Sequence, residues 1–118
     1  IPVVVTVAGE GALPTEVQVA FYRLCQEGLN NIAKHAEATR AEIHLQYQAD
    51  AGVVALRLRD DGRGFDPEQS TSGHFGLSMM RERADTAGVI LSIISQPGHG
   101  SEIVVRWTNA SDQEAIGL

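Results

Sequence analysis

The sequence predicts an α+β two-layer sandwich, a mixed, mostly antiparallel sheet covered on one face by helices. Two observations carry that expectation. Alternating apolar runs come in consecutive pairs joined by turn residues, which makes hairpins. Two longer runs space their apolar residues at helical period along one face only, so each has a single surface to bury. At 118 residues the chain is near the modal domain size and long enough for one packed core.

The elements follow in order. PVVVTVA (residues 2–8) reads as a first strand and GEGALP as a loop. Thr15 with Gln18 three positions on has the form of a capping box before an apolar-periodic run, so a helix is expected from Glu16 to Ala36. RAEIHLQYQ and GVVALRLRD alternate in period two and are joined by ADAG, a hairpin signal. DGRGFDPEQSTSGHFG is rich in Gly, Asp and Ser and has no period. It is a loop of the length at which loops tend to be functional. A second helix then places Leu77, Met80, Ala84 and Ala87 on one face, with Gly88 set to end it. VILSIISQ, the turn PGHGS and EIVVRW form a last hairpin. TNASDQEAIGL has no apolar period, so the domain is expected over residues 1–108 with a disordered tail at 109–118.

Composition narrows the partners. Apolar residues at 43% and charged residues at 20% are values of an ordinary soluble globular domain. A net charge of −6 argues against nucleic acid or an anionic membrane surface as a partner. No run reaches the length of a membrane span and no signal peptide precedes the first strand, which points to a cytoplasmic domain. The single Cys25 excludes an internal disulfide, fits a reducing compartment and reads as a small core residue. The abrupt, already strand-like opening IPVVVTVAG suggests a domain of a longer protein, whose other parts could include a membrane anchor.

One stretch departs from a core pattern. On a wheel of about 100° per residue, Val17, Phe21, Leu24, Gly28 and Ile32 fall on one stripe, yet Asn31 and His35 lie inside or beside it. Glu27 and Lys34 run along the same edge. Beyond the next hairpin, Asp60 ends a strand and is followed by Gly62 and Gly64, which allow a ligand to approach the backbone closely. SGHFGL leads straight into a helix, whose unpaired N–H groups suit phosphate. Each feature alone has a plain reading as a turn or a solvated edge. Together they suit one cleft. Mg²⁺ needs few protein oxygens when water and phosphates complete its octahedron, so one amide such as Asn31 is sufficient. A lysine one turn on can neutralise phosphate charge. Glu27, four residues before Asn31, can orient or deprotonate a nucleophile. Asp60 can accept a hydrogen bond from the exocyclic amine of a base, where a carbonyl would meet it with no donor between them. Neither GxxxxGK[ST] nor GxGxxG occurs.

From Pro14 to Trp107 the chain resembles the catalytic ATP-binding domain of two-component sensor histidine kinases, within the gyrase, Hsp90, histidine kinase and MutL superfamily. It is most similar to the short-lid branch that pairs with helix-turn-helix response regulators. QEGLNNIAKHA resembles that branch's N box, with Glu27 and Asn31 in the Glu-x-x-x-Asn positions. DDGRGF resembles the first glycine box, GHFGLSMMRERADTAG the second with its helix, and GHGSEIVV the last. Four such boxes in order are highly specific.

The resemblance implies a Bergerat-type fold with ATP and Mg²⁺ as cofactors. It places Asn31 on Mg²⁺, Lys34 and His35 near the phosphates, and Asp60 on the adenine amine. Gly62 and Gly64 would shape the base pocket, the run Gly73, His74, Phe75, Gly76 and Leu77 would end the ATP lid, and Ser101 would stand where Thr is more usual. Met79 occupies a position that is often small. The implied partners are the dimerisation and phosphoacceptor domain of the same kinase and a downstream response regulator. The acceptor histidine of that family sits on a separate helix. His35, His44, His74 and His99 all lie elsewhere, so the chain carries the nucleotide half of a kinase. A stand-alone serine kinase of the anti-sigma type and a non-catalytic nucleotide-sensing module are the competing readings. The residues before Ile1 would separate the histidine kinase from the serine kinase, through an upstream dimerisation helix with His followed by Asp or Glu.

Overall fold

The computed structural model describes residues 1–64 and 76–109, without the side chains of His35 and Ala36. In chain order the elements are β1 (Val3–Ala8), α1 (Thr15–Asn31), β2 (Ala41–Gln48), β3 (Val53–Asp60), α2 (Leu77–Ala87), β4 (Ile90–Ser95) and β5 (Ser101–Thr108). The strands form one sheet in the order β1-β2-β3-β5-β4. β1 runs parallel to β2, and the other neighbours are antiparallel. The sheet is therefore mixed and mostly antiparallel, as expected.

Alternation along the strands decides where the core lies. Val54, Leu56 and Leu58 of β3 are buried, and Leu56 and Leu58 pair with the buried Val105 and Ile103 of β5. Val17, Phe21 and Leu24 of α1 and Leu77, Met80 and Ala84 of α2 pack into the same cluster. Each helix thus buries the stripe that its period marks out, which is the main source of helix stability in a domain of this size. On the other face, Arg57 and Arg59 share Glu102, at 3.5 and 3.4 Å. Charged side chains of this kind keep that face solvated and in one layer. At the edge, Val3, Val5 and Val7 pair with Ala41, Ile43 and Leu45, yet remain 44%, 63% and 59% exposed. The helices do not extend over β1.

Two local expectations need correction. Thr15 is the first residue of α1 and not its cap. Pro14, with ψ of 149°, is the non-helical residue, and no side chain caps the helix. Its carbonyl accepts from the N–H groups of Val17 and Gln18, both at 3.0 Å, while the Gln18 amide donates to the Leu13 carbonyl. The fixed φ of proline favours this boundary over one a residue later. The helix also does not continue as regular α to Ala36. Ile32–Ala36 is wound as a π-helix, and Glu37 ends it in the left-handed conformation. At the second helix, Gly88 terminates α2 with φ of 72°, as its position suggests. Asn109 N–H donates to the Gly52 carbonyl at 2.8 Å. The rest of the expected tail, residues 110–118, lies outside the described residues.

Candidate functional site

The register of the sheet sets Asp60 between Ala41 of β2 and Ser101 of β5. At 9% exposure it is the charged side chain that the core contains among the described residues. Burying a carboxylate is costly unless its oxygens are hydrogen-bonded. Here Oδ1 accepts the Gly62 N–H at 2.8 Å and Oδ2 accepts the Ser101 hydroxyl. A carboxylate has about four acceptor sites, so both oxygens retain capacity for a donor from outside the chain. Gly62 and Ser101, both expected at the site, thus act on Asp60 directly and hold its orientation.

The loop after β3 is held against the β4–β5 turn. Gly98 N–H donates to the Arg63 carbonyl. Gly64 has φ of +66°, and a Cβ there would run into the Gln96 carbonyl. A left-handed conformation and a backbone contact at one position leave room only for glycine. The PGHGS turn, expected as a plain hairpin turn, therefore also braces the loop that follows Asp60.

Across the core, Glu27 is half-buried on α1. Its carboxylate lies over the start of α2, where a Cβ on Gly76 (φ +63°) would stand 2.5 Å from Oε1. Asn31, one turn later, is half-buried and Lys34 is exposed on the π-wound segment. His35 shares that segment by its backbone, and its side chain lies outside the description. Leu77 is 5% exposed and its side chain belongs to the core, so any contact with a ligand would use its backbone at the first turn of α2. Gly73, His74 and Phe75 lie outside the described residues.

Asp61 is a participant that the sequence reading missed. Its Oδ1 accepts the N–H groups of Thr39 at 2.8 Å and Arg40 at 3.1 Å, and its Oδ2 accepts the Thr39 hydroxyl. These bonds, that of the Thr39 hydroxyl foremost, hold the Asp61 carboxyl below the usual carboxylate range. The available signal was the doublet Asp60–Asp61 at a strand end, since consecutive side chains there must point to opposite faces.

Other groups fit quieter roles. Cys25 is half-buried, and burial pushes its thiol up, which keeps it protonated and a poor nucleophile. Among the described residues no three His, Cys, Asp or Glu side chains converge as a metal cage. No helix there is long and apolar enough to cross a membrane.

The profile of the family described as histidine kinase-, DNA gyrase B-, and HSP90-like ATPase matches residues 16–111. The signal transduction histidine-protein kinase/phosphatase DegS of Brevibacillus brevis is 35% identical over 92 residues, covering 78% of this chain and 23% of that protein. UhpB of Salmonella typhimurium, of the same description, is 41% identical over 96 residues, covering 81% and 18%. The sensor protein VraS of Staphylococcus epidermidis is 32% identical over 105 residues, covering 89% and 30%. The chain thus spans less than a third of the length of these relatives. Among solved structures, the histidine kinase domain of a blue-light activated histidine kinase from Erythrobacter litoralis superposes with a TM-score of 0.69 at 21% identity, covering 98% of this chain and 55% of that one. The mycobacterial sensor histidine kinase MprB gives 0.63 at 22%, covering 90% and 80%. At such identities the superpositions speak for the fold.

Proposed function

The chain belongs to the histidine kinase-, DNA gyrase B-, and HSP90-like ATPase family, and from that premise we propose that it is the ATP-binding catalytic domain of a sensor histidine kinase. It transfers the γ-phosphoryl group of ATP to a histidine on a separate dimerisation domain, for onward signalling to a response regulator. The domain works on the cytoplasmic side, without nucleic acid or membrane as a direct partner. The observation that carries the reading is Asp60, a buried carboxylate oriented by Gly62 and Ser101 with acceptor capacity left for an amine.

Each residue has a stated task. Asp60 accepts the adenine amine, and the loop braced at Gly64 forms the wall beside the base. Asn31 would supply the one protein oxygen to Mg²⁺. A lone amide, with no carboxylate cage among the described residues, suits a cation that arrives with its nucleotide. When bound, that cation neutralises phosphate charge. Lys34 and His35, on the π-wound segment that follows α1, serve the phosphates. Gly73, His74, Phe75 and Gly76 complete the lid, and the first turn of α2 offers N–H donors through Leu77. Glu27 takes the proton from the incoming histidine nitrogen or orients it, and its place over Gly76 sets it where the lid ends. Phosphoryl transfer of this kind depends on positioning and electrostatics, so the isolated chain has little turnover of its own.

Calorimetry with ATP and GTP in Mg²⁺ buffer tests the assignment. GTP presents a carbonyl to Asp60 and should bind about 10²-fold more weakly or worse. Comparable affinities would remove Asp60 from the adenine.

A further inference from the structure

Asp61 follows the adenine aspartate, yet its side chain has another destination. Both its oxygens are committed to Thr39 and Arg40, in the turn between α1 and β2. The backbone leading into that turn is doubly unusual. Ile32–Ala36 is π-wound, an arrangement that is rare and short. Glu37 follows with φ of 51°, the left-handed non-glycine residue among those described. Such conformations persist only where the surroundings over-determine them. Two residues beyond Glu37, one carboxylate collects three donors. Asp61 N–H points back to the Arg40 carbonyl at 3.4 Å, a long contact that closes the bracket from the other side.

The bracket joins the two halves of the site. On one side are the end of α1, with Asn31, and the π-wound segment after it, with Lys34 and His35. On the other is the end of β3, with Asp60. We propose that Asp61 is a positioning residue for the nucleotide, fixing the phosphate-facing end of α1 at a set distance from the base-recognising end of β3. This rests on the reading above, in which Asp60 meets the base and the end of α1 meets the phosphates. Adenosine needs only the β3 side. ATP needs both sides at the correct separation. Loss of the bracket therefore weakens the triphosphate selectively, whereas general damage to the fold weakens both ligands alike.

The test compares Mg·ATP with adenosine on the native chain and on Asp61→Asn, Thr39→Val and Thr39→Ser. Asp61→Asn leaves one side-chain oxygen where there were two acceptors. Its ATP-to-adenosine affinity ratio should fall about tenfold, the low end of what partners that orient a ligand-binding residue contribute. Thr39→Val removes the hydroxyl donor and should lower the ratio by a smaller factor. Thr39→Ser restores that donor and should restore the ratio. Adenosine affinity should be the same in all four chains. Equal losses for the two ligands, or an unchanged ratio in Asp61→Asn, overturn the proposal. If Asp61→Asn does not fold, the Thr39 pair decides alone: equal ratios for valine and serine overturn it. A native ratio near one removes the phosphate reading and the proposal with it. A high native ratio that the variants preserve removes the proposal only.

Discussion

α1 is one helix with two characters. From Thr15 to Leu24 it keeps a regular period and buries Val17, Phe21 and Leu24 in the core, with Ala20 buried on the side of α2. From Glu27 onward it carries polar groups on its half-buried margin and then changes its winding at Ile32. The first stretch answers to packing alone. The second, on the function proposed above, answers to a ligand, and it accepts backbone conformations that packing would not choose. The contrast implies that stability and nucleotide chemistry are separable along a single element.

The largest effect should come from the first stretch. Leu24 is 1% exposed, and Leu24→Ala should cost about 2–5 kcal/mol, the range for a leucine truncated in a core. Denaturant unfolding measures this, and the molecules that remain folded should bind ATP as before. A loss of ATP affinity in the folded fraction would break the separation. Glu27→Gln probes the second stretch. Stability and ATP affinity should hold, while transfer to an acceptor domain supplied in trans should slow by about 10²-fold or more. Full transfer would leave Glu27 as a mere edge residue of the helix.

The smallest effect concerns the bracket that pins the second stretch. Because its folded carboxyl lies below the ordinary range, Asp61 stabilises the fold fully above its unfolded value of about 3.9 and loses this as pH falls through the folded value. The charged neighbours at that corner are Arg40, Glu42, Arg59 and Asp60. The stability difference between the native chain and Asp61→Asn should be greatest at neutral pH and close in acid. Melting curves across that range check the sign, and a gap that widens in acid would reverse it.

The same division explains what was legible in the sequence. Val17, Phe21, Leu24 and Leu77, Met80, Ala84 declare themselves because period and burial coincide. The strands and Asp60 follow from alternation and glycine placement. The strand-end partner of Asp60, Ser101 at the start of β5, was legible only through the resemblance of the surrounding motif. The start of α1 was misjudged because Thr15 and Pro14 both carry boundary signals and the proline backbone prevails. The π-winding leaves no mark in residue spacing, since it shifts hydrogen bonds and not residue types. Asp61 was missed for a related reason. Its partners Thr39 and Arg40 are remote in sequence, and only the register of β2 against β3 brings them to it.

The parallel edge strand carries a further consequence, one of unfolding order. The β2–β3 and β4–β5 pairs are hairpins that close over short turns. Val3 can meet Ala41 only after the chain has passed through the whole of α1 and its turn. Closing that long excursion costs chain entropy before any pairing is made. The valines of β1 recover little of it, since they stay largely exposed once docked. The β3–β5 pairing closes an excursion of similar length, from Asp60 to Ser101, but it is repaid by burial of Leu56, Leu58, Ile103 and Val105. β1 has no such return and should be the first strand to leave the sheet, with the fastest hydrogen exchange among the strands.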